Sequence, residues 1–170
     1  VFISGHLGNF ELMSMEIEKK NINLSTIYRP LNNIFLNPLM VYLRKKYICK
    51  NQIKKGRSGT RDLLESFKKK NSIALMIDQR VSEGIKSDFF GQPALTTTIP
   101  AQLVKKFNCR IVPIYIERTN GIYFKMSVNK PISYSDETTI EEITLDLNKR
   151  LEQMISLNPS QWIWSHNRWK

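Results

Sequence analysis

Val1-Phe2-Ile3-Ser4-Gly5-His6-Leu7-Gly8-Asn9-Phe10-Glu11 reads as a strand, a glycine-flanked loop and the beginning of a helix. An apolar run over 1–5 predicts the strand, and Phe10, Met13 and Ile17 recur at helical spacing within Asn9–Lys20. Gly5 and Gly8 let the backbone turn between them. Asn9 is a good N-cap, which puts Glu11 in the first helical turn, where the helix dipole favours its ionised form.

The same alternation continues along the chain. Further strands are expected at about 24–29, 72–78, 110–117 and 122–128, separated by helix-like stretches, as in βαβ units. Ile140, Ile143, Leu147, Leu151 and Met154 mark a late amphipathic helix, and Thr96-Thr97-Thr98 before Pro100 reads as the cap and first turn of a helix through about Phe107. Ser72-Ile73-Ala74-Leu75-Met76-Ile77 is apolar without alternation, as a strand buried on both faces would be, and it ends at Asp78-Gln79-Arg80. Polar residues just past the carboxyl end of such a strand stand where open α/β sheets bind ligands. The expected fold is α/β, a mixed β-sheet flanked by helices.

At 170 residues the chain is long enough for one domain with a real core, taken as 1–170. Apolar residues at 41% and charged residues at 24% exclude a disordered or wholly membrane-embedded chain. Against 15 Asp and Glu stand 26 Lys and Arg, a net charge of +11, which favours nucleic acid, anionic lipid, a phosphorylated substrate or an acidic carrier protein without choosing among them. Cys49 and Cys109 form no CxxC or Cys/His cluster, which argues against a disulfide scaffold and a zinc site and suits a reducing compartment. No stretch approaches the roughly 20 apolar residues of a spanning helix, and no signal peptide opens the chain. Its abrupt start in an interior strand suggests a fragment whose N-terminal part is missing.

His6 and Glu11 carry the chemistry. Five positions along one helix would point them well apart, so His6 belongs on the loop, from which an ionised Glu11 is expected to accept its Nδ1 proton. That leaves Nε2 as a base with a fixed tautomer, as in the His–Asp half of a triad. No GxSxG elbow occurs and neither Cys lies near the loop, so the hydroxyl that His6 deprotonates is expected to come from a substrate. The basic, tryptophan-rich end of the chain also fits a non-enzymatic module for membrane or nucleic acid, a reading that gives no reason for the His6 loop.

GHLGNFE resembles the His-x4-Asp/Glu box of the lysophospholipid acyltransferase superfamily, and in its Glu form the bacterial lipid A biosynthesis acyltransferases, the lauroyl and myristoyl transferases. Further blocks agree in order: Tyr28-Arg29-Pro30-Leu31, Arg57-Ser58-Gly59, Asp78-Gln79-Arg80, Phe89-Phe90-Gly91-Gln92-Pro93-Ala94 with Thr96-Thr97, Val112-Pro113, and Trp162-Ile163-Trp164-Ser165-His166-Asn167-Arg168-Trp169. The resemblance implies a glycerolipid acyltransferase-like fold and catalysis by His6 and Glu11. It also implies an acyl carrier protein thioester as donor and a Kdo-bearing lipid A precursor as acceptor, at the cytoplasmic face of the cell inner membrane. The resemblance also implies an N-terminal membrane-anchoring helix before the His box, expected in the part that the fragment lacks. Another HxxxxE acyltransferase, acting on a lysophospholipid or glycolipid, would use the same box.

Substrate binding is expected from four residues, Arg29, Arg57, Asp78 and Arg80. Arg29 ends a strand, is made extended by Pro30, and offers a planar fork to a phosphate or a developing oxyanion. Arg57 lies in the basic loop Lys54-Lys55-Gly56-Arg57-Ser58-Gly59, suited to hold a phosphate. Asp78 can orient Arg29, Arg80 or the acceptor, or simply be a turn acid. Phe89-Phe90 suits an acyl channel or the core. Trp162, Trp164 and Trp169 beside Arg168 and Lys170 have the composition of an interfacial anchor on an anionic membrane, or of a platform that stacks single-stranded bases. His166 reads as structural. No specific nucleic acid partner, metal or cofactor is expected, since neither a metal-ligand cluster nor a nucleotide fingerprint occurs.

Overall fold

The protein is seen in a computed structural model, which describes the backbone of residues 1–170 and every side chain except those of Arg57 and Ser58. It forms two compact units: Val1–Phe10 with Met76–Lys170, and Glu11–Leu75. The fold class is α/β, with a mixed, mostly parallel sheet and flanking helices.

In the unit Glu11–Leu75, helix α1 (Glu11–Lys19) leads into β2 (Leu24–Tyr28), then α2 (Leu36–Tyr47), β3 (Asn51–Lys54), α3 (Arg57–Lys68) and β4 (Ser72–Met76). Its strands lie in the order β3, β2, β4, all parallel, with Ser25 opposite Asn51 on one side and Ile73 on the other. Parallel neighbours need crossovers, which α2 and α3 supply. Met13 and Ile17 of α1, Leu24, Ile53, Leu63 and Ile73 form the core.

In the other unit, β1 (Phe2–Ser4) pairs in parallel with β7 (Val112–Asn120), and β7 pairs antiparallel with β8 (Tyr123–Val128). A separate hairpin joins β5 (Ile85–Phe89) to β6 (Gln92–Thr96). Its two-residue turn, Phe90-Gly91, has positive φ at both positions (54° and 73°), the geometry that suits the twist of a hairpin. Helix α4 (Ile99–Phe107) starts after the threonines as expected, with Thr98 as N-cap residue and Thr97 Oγ1 accepting the Ile99 N–H at 3.3 Å. Helix α5 (Ile140–Leu157) opens with a capping box between Thr139 and Glu142, and buries Ile143, Leu147, Leu151 and Met154 against the core. The 3-10 turn Pro159–Gln161 then leads into the C-terminal segment.

The five strands expected from sequence are present as β1, β2, β4, β7 and β8, while β3 and the β5–β6 hairpin are additional. Among the described residues no helix is long and apolar enough to cross a membrane.

Candidate active site

The loop after β1 is held from two directions within its own unit. Gly5 passes so close to Asp78 and Leu151 that a Cβ would lie 3.0 Å from Leu151 Cδ1 and 3.5 Å from Asp78 Cγ. Gly8 adopts φ +51°, a left-handed turn natural to glycine, and donates its N–H to the Gln161 carbonyl at 2.9 Å. Leu7 forms an antiparallel bridge with Trp162, and the Ile163 N–H donates to the His6 carbonyl at 3.1 Å. The C-terminal segment thus straps the loop as a short piece of antiparallel ladder.

Asp78 follows the end of β4, where the Ile77 N–H donates to the Ser4 carbonyl at 3.0 Å and brings the two strand ends side by side. Its carboxylate receives three hydrogen bonds. Oδ1 lies 2.7 Å from His6 Nδ1, while Oδ2 accepts the His6 backbone N–H at 2.8 Å and the Trp162 indole N–H at 2.9 Å. Burial acts to raise the Asp78 pKa, but the hydrogen bonds and charge of His6, with the indole of Trp162, outweigh it and hold the carboxyl below its usual value. With Asp78 ionised, the 2.7 Å contact requires the proton on Nδ1, and in the neutral imidazole Nε2 is then an acceptor. The exposures agree: the Asp78 side chain is 2% exposed and that of His6 17%, so the imidazole is the end of the pair that solvent and substrate can reach. Phe10 packs its ring edge-on to the imidazole at 4.5 Å between centroids.

The expected partner of His6 is therefore corrected. Its Nδ1 proton goes to Asp78, and the Glu11 carboxylate is engaged by Arg44, whose Nε and Nη2 donate to Oε1 at 2.9 and 2.6 Å within the unit Glu11–Leu75. Glu11 does stand in the first turn of α1, as the sequence predicted. A first-turn carboxylate is well placed for a neighbouring guanidinium, whereas Asp78, wrapped by N–H donors, is a better fixed acceptor for an imidazole.

Arg29 is exposed one residue beyond β2, and Arg57 begins α3 with a side chain outside the described residues, both in the unit Glu11–Leu75. Arg80 is exposed two residues beyond Asp78, and its backbone N–H donates to His166 Nε2 at 2.9 Å, which gives His166 a structural part. Phe89 is fully buried, flanked by Trp162 and Trp169, and so belongs to the core; Phe90 is exposed. Burial raises the Cys49 pKa to about 11, so that thiol stays protonated at neutral pH. Among the described residues no three His, Cys, Asp or Glu side chains gather as a metal-binding group.

Of the three tryptophans expected to form an interfacial anchor, Trp164 and Trp169 are exposed at 60% and 39%, and Trp162 is not. Trp162 is buried with its indole N–H on Asp78; those of Trp164 and Trp169 donate to the carbonyls of Pro159 at 2.8 Å and Phe89 at 3.0 Å. All three indole N–H groups are thus hydrogen-bonded within the protein. Arg168 is likewise fully buried, donating to the Leu95 carbonyl at 2.7 Å and Thr96 Oγ1 at 2.6 Å, with its guanidinium 5.0 Å from the Phe89 ring centroid. Burial lowers its pKa and the Asp78 charge opposes that shift. Trp162 is the site residue that sequence reading missed: its cue, a lone indole donor 84 positions from Asp78, has no local periodicity to reveal it.

A model of the bacterial lipid A biosynthesis acyltransferases matches residues 1–170. No curated protein was found to match the chain.

Proposed function

The chain belongs to the bacterial lipid A biosynthesis acyltransferase family, and on that premise we propose that it moves a fatty acyl group from an acyl carrier protein thioester to a hydroxyl of a Kdo-bearing lipid A precursor. The observation that carries the chemistry is the 2.7 Å bond between His6 Nδ1 and the buried Asp78 carboxylate. His6 Nε2 takes the proton of the acceptor hydroxyl as its oxygen bonds to the thioester carbonyl carbon. The C–S bond then breaks, the acyl ester remains on the lipid, and the imidazolium returns the proton to the departing thiolate. Asp78 keeps the tautomer and supports the imidazolium charge without taking the proton itself.

Glu11, the carboxylate of the box, enters this reading as the group that fixes Arg44. A guanidinium so held suits a phosphate. Arg29, Arg57 and Arg80 are proposed to bind acceptor phosphates. The reaction is placed at the cytoplasmic face of the inner membrane, where both substrates of such a transfer meet.

The test is to incubate full-length protein with labelled acyl carrier thioesters and a panel of lipid acceptors, and to identify the product by mass. The expected product is the lipid A precursor heavier by one acyl group, formed by wild type and not by a folded His6→Ala protein. Acylation of a lysophospholipid alone would replace the acceptor, and near-normal turnover by His6→Ala would overturn the mechanism.

A further inference from the structure

Helix α2 and the turn before it run against the ordinary logic of a surface helix. A helix on a globular domain turns its apolar stripe inward, yet α2 has no buried residue at all. Phe35, Leu39, Tyr42 and Lys46, spaced four, three and four apart, form a single outward stripe of three large apolar residues closed by a cation. The exposure is greatest at the entry, where Ile34 is 75% and Phe35 84% exposed. This entry is ordered: Asn33 Oδ1 accepts the N–H groups of Phe35 and Leu36 at 2.9 and 3.1 Å, and Asn37 Oδ1 that of Leu31 at 2.9 Å. At the other end, the Lys46 ammonium lies over the rings of Tyr42 and Tyr47, 5.6 and 5.1 Å from their centroids.

Charge selects the occupant. The unit Glu11–Leu75 holds 14 Lys and Arg against 5 Asp and Glu, a net +9, whereas the remainder of the chain holds 12 against 10, a net +2. Nearly all of the excess positive charge therefore lies in the unit that displays the apolar stripe. We propose that the Leu31–Tyr47 segment docks on an anionic lipid bilayer, with Ile34 and Phe35 inserted among the acyl chains and the tyrosines and Lys45–Lys46 at headgroup level. Aliphatic and phenyl groups gain from leaving water for hydrocarbon, tyrosines favour the interface, and each lysine near an anionic surface adds attraction. A nucleic acid would match the charge but offers no apolar phase for Ile34 and Phe35. This docking rests on the reading of the acceptor as a membrane lipid, and its test is a binding measurement that acyl transfer does not enter.

The experiment places an environment-sensitive fluorophore on Phe35→Cys in the full-length protein, with Cys49 and Cys109 changed to Ser. Vesicles of phosphatidylethanolamine with phosphatidylglycerol are compared with phosphatidylcholine alone. Emission should shift to the blue and be quenched by bromolipids on the anionic vesicles, and the response should weaken as salt rises. Separately, Ile34→Ser with Phe35→Ser should reduce vesicle partitioning about tenfold or more, and Lys45→Gln with Lys46→Gln should reduce it on anionic vesicles only. A label at position 35 that does not respond to vesicles overturns the proposal. So does a response to DNA or to the carrier protein alone. If the label responds as expected while no lipid acceptor is acylated, the docking stands and the proposed reaction fails.

Discussion

Asp78 is where burial, charge and tautomer meet, and replacing one of its oxygens by an amide separates these effects. Asp78→Asn keeps the shape of the side chain but removes the charge and can present an N–H to Nδ1, so His6 is pushed to the opposite tautomer and Nε2 ceases to be a base. Turnover should fall by about 10⁴-fold, the loss seen when the same exchange is made in a Ser-His-Asp triad. His6→Ala should cost about 10²–10⁴-fold or more in kcat with the fold intact by circular dichroism. The depressed pKa of Asp78 also has a thermodynamic sign. A carboxyl held below its unfolded value, about 3.9, stabilises the native state fully above that value and loses its contribution as pH falls through the folded value. The Tm difference between wild type and Asp78→Asn should therefore be constant near neutrality and narrow below about pH 4. A gap that widened with acid would contradict the assignment. Arg29 is open to a different comparison. If it binds a phosphate through its planar fork, Arg29→Lys should already raise KM for the acceptor; if it is a solvated charge, Lys should substitute freely.

At the scale of the element, the C-terminal segment acts on the site through one indole. Trp162→Phe keeps the ring but leaves Asp78 Oδ2 without its buried donor, and a hydrogen bond to a charged group contributes about 1.5–3 kcal/mol. The activity of Trp162→Phe should fall roughly 10- to 100-fold, and its acid unfolding should begin at higher pH than that of wild type, because the lost donor was one of the groups holding the Asp78 pKa down. Trp164→Phe is the matched control, since its indole N–H is spent on Pro159 in the same segment. Equal losses in both variants would make the strap merely structural. The strands also show what sequence patterning can carry. β4 and β7 bury runs of apolar residues that a periodicity reading finds, while β1 and β2 each bury one apolar residue beside a serine. In Asn51–Lys54, by contrast, only Ile53 is buried, and β5 and β6 contain Lys86, Asp88 and Pro93, so their pairing is set by the Phe90-Gly91 turn and not by hydrophobic pattern. The βα junction that carries His6 was legible because glycines and a helical repeat are local signals. The carboxylate that serves His6 was not, because the two lie 72 residues apart and no local pattern links them.

On the scale of the molecule, the sequence reported a net charge of +11 but not its partition between the two units, since that division exists only once the chain has folded. The same division has a consequence for how such a protein can diversify. His6 and Asp78 come from opposite flanks of one long excursion, the 65 residues from Glu11 to Leu75, and every hydrogen bond described for the Asp78 carboxylate arises outside that excursion. The proton-handling residues are therefore insulated, in covalent terms, from drift in the inserted stretch. Loop-closure entropy grows only logarithmically, about 0.6 kcal/mol for each doubling of length, so the excursion can lengthen or shorten considerably before assembly of the dyad becomes thermodynamically expensive. Homologues should accordingly tolerate insertions and deletions between residues equivalent to Glu11 and Leu75 more readily than between Asp78 and Trp162, and exchanging the whole stretch between two of them should alter which lipid is used before it alters the pH dependence of turnover.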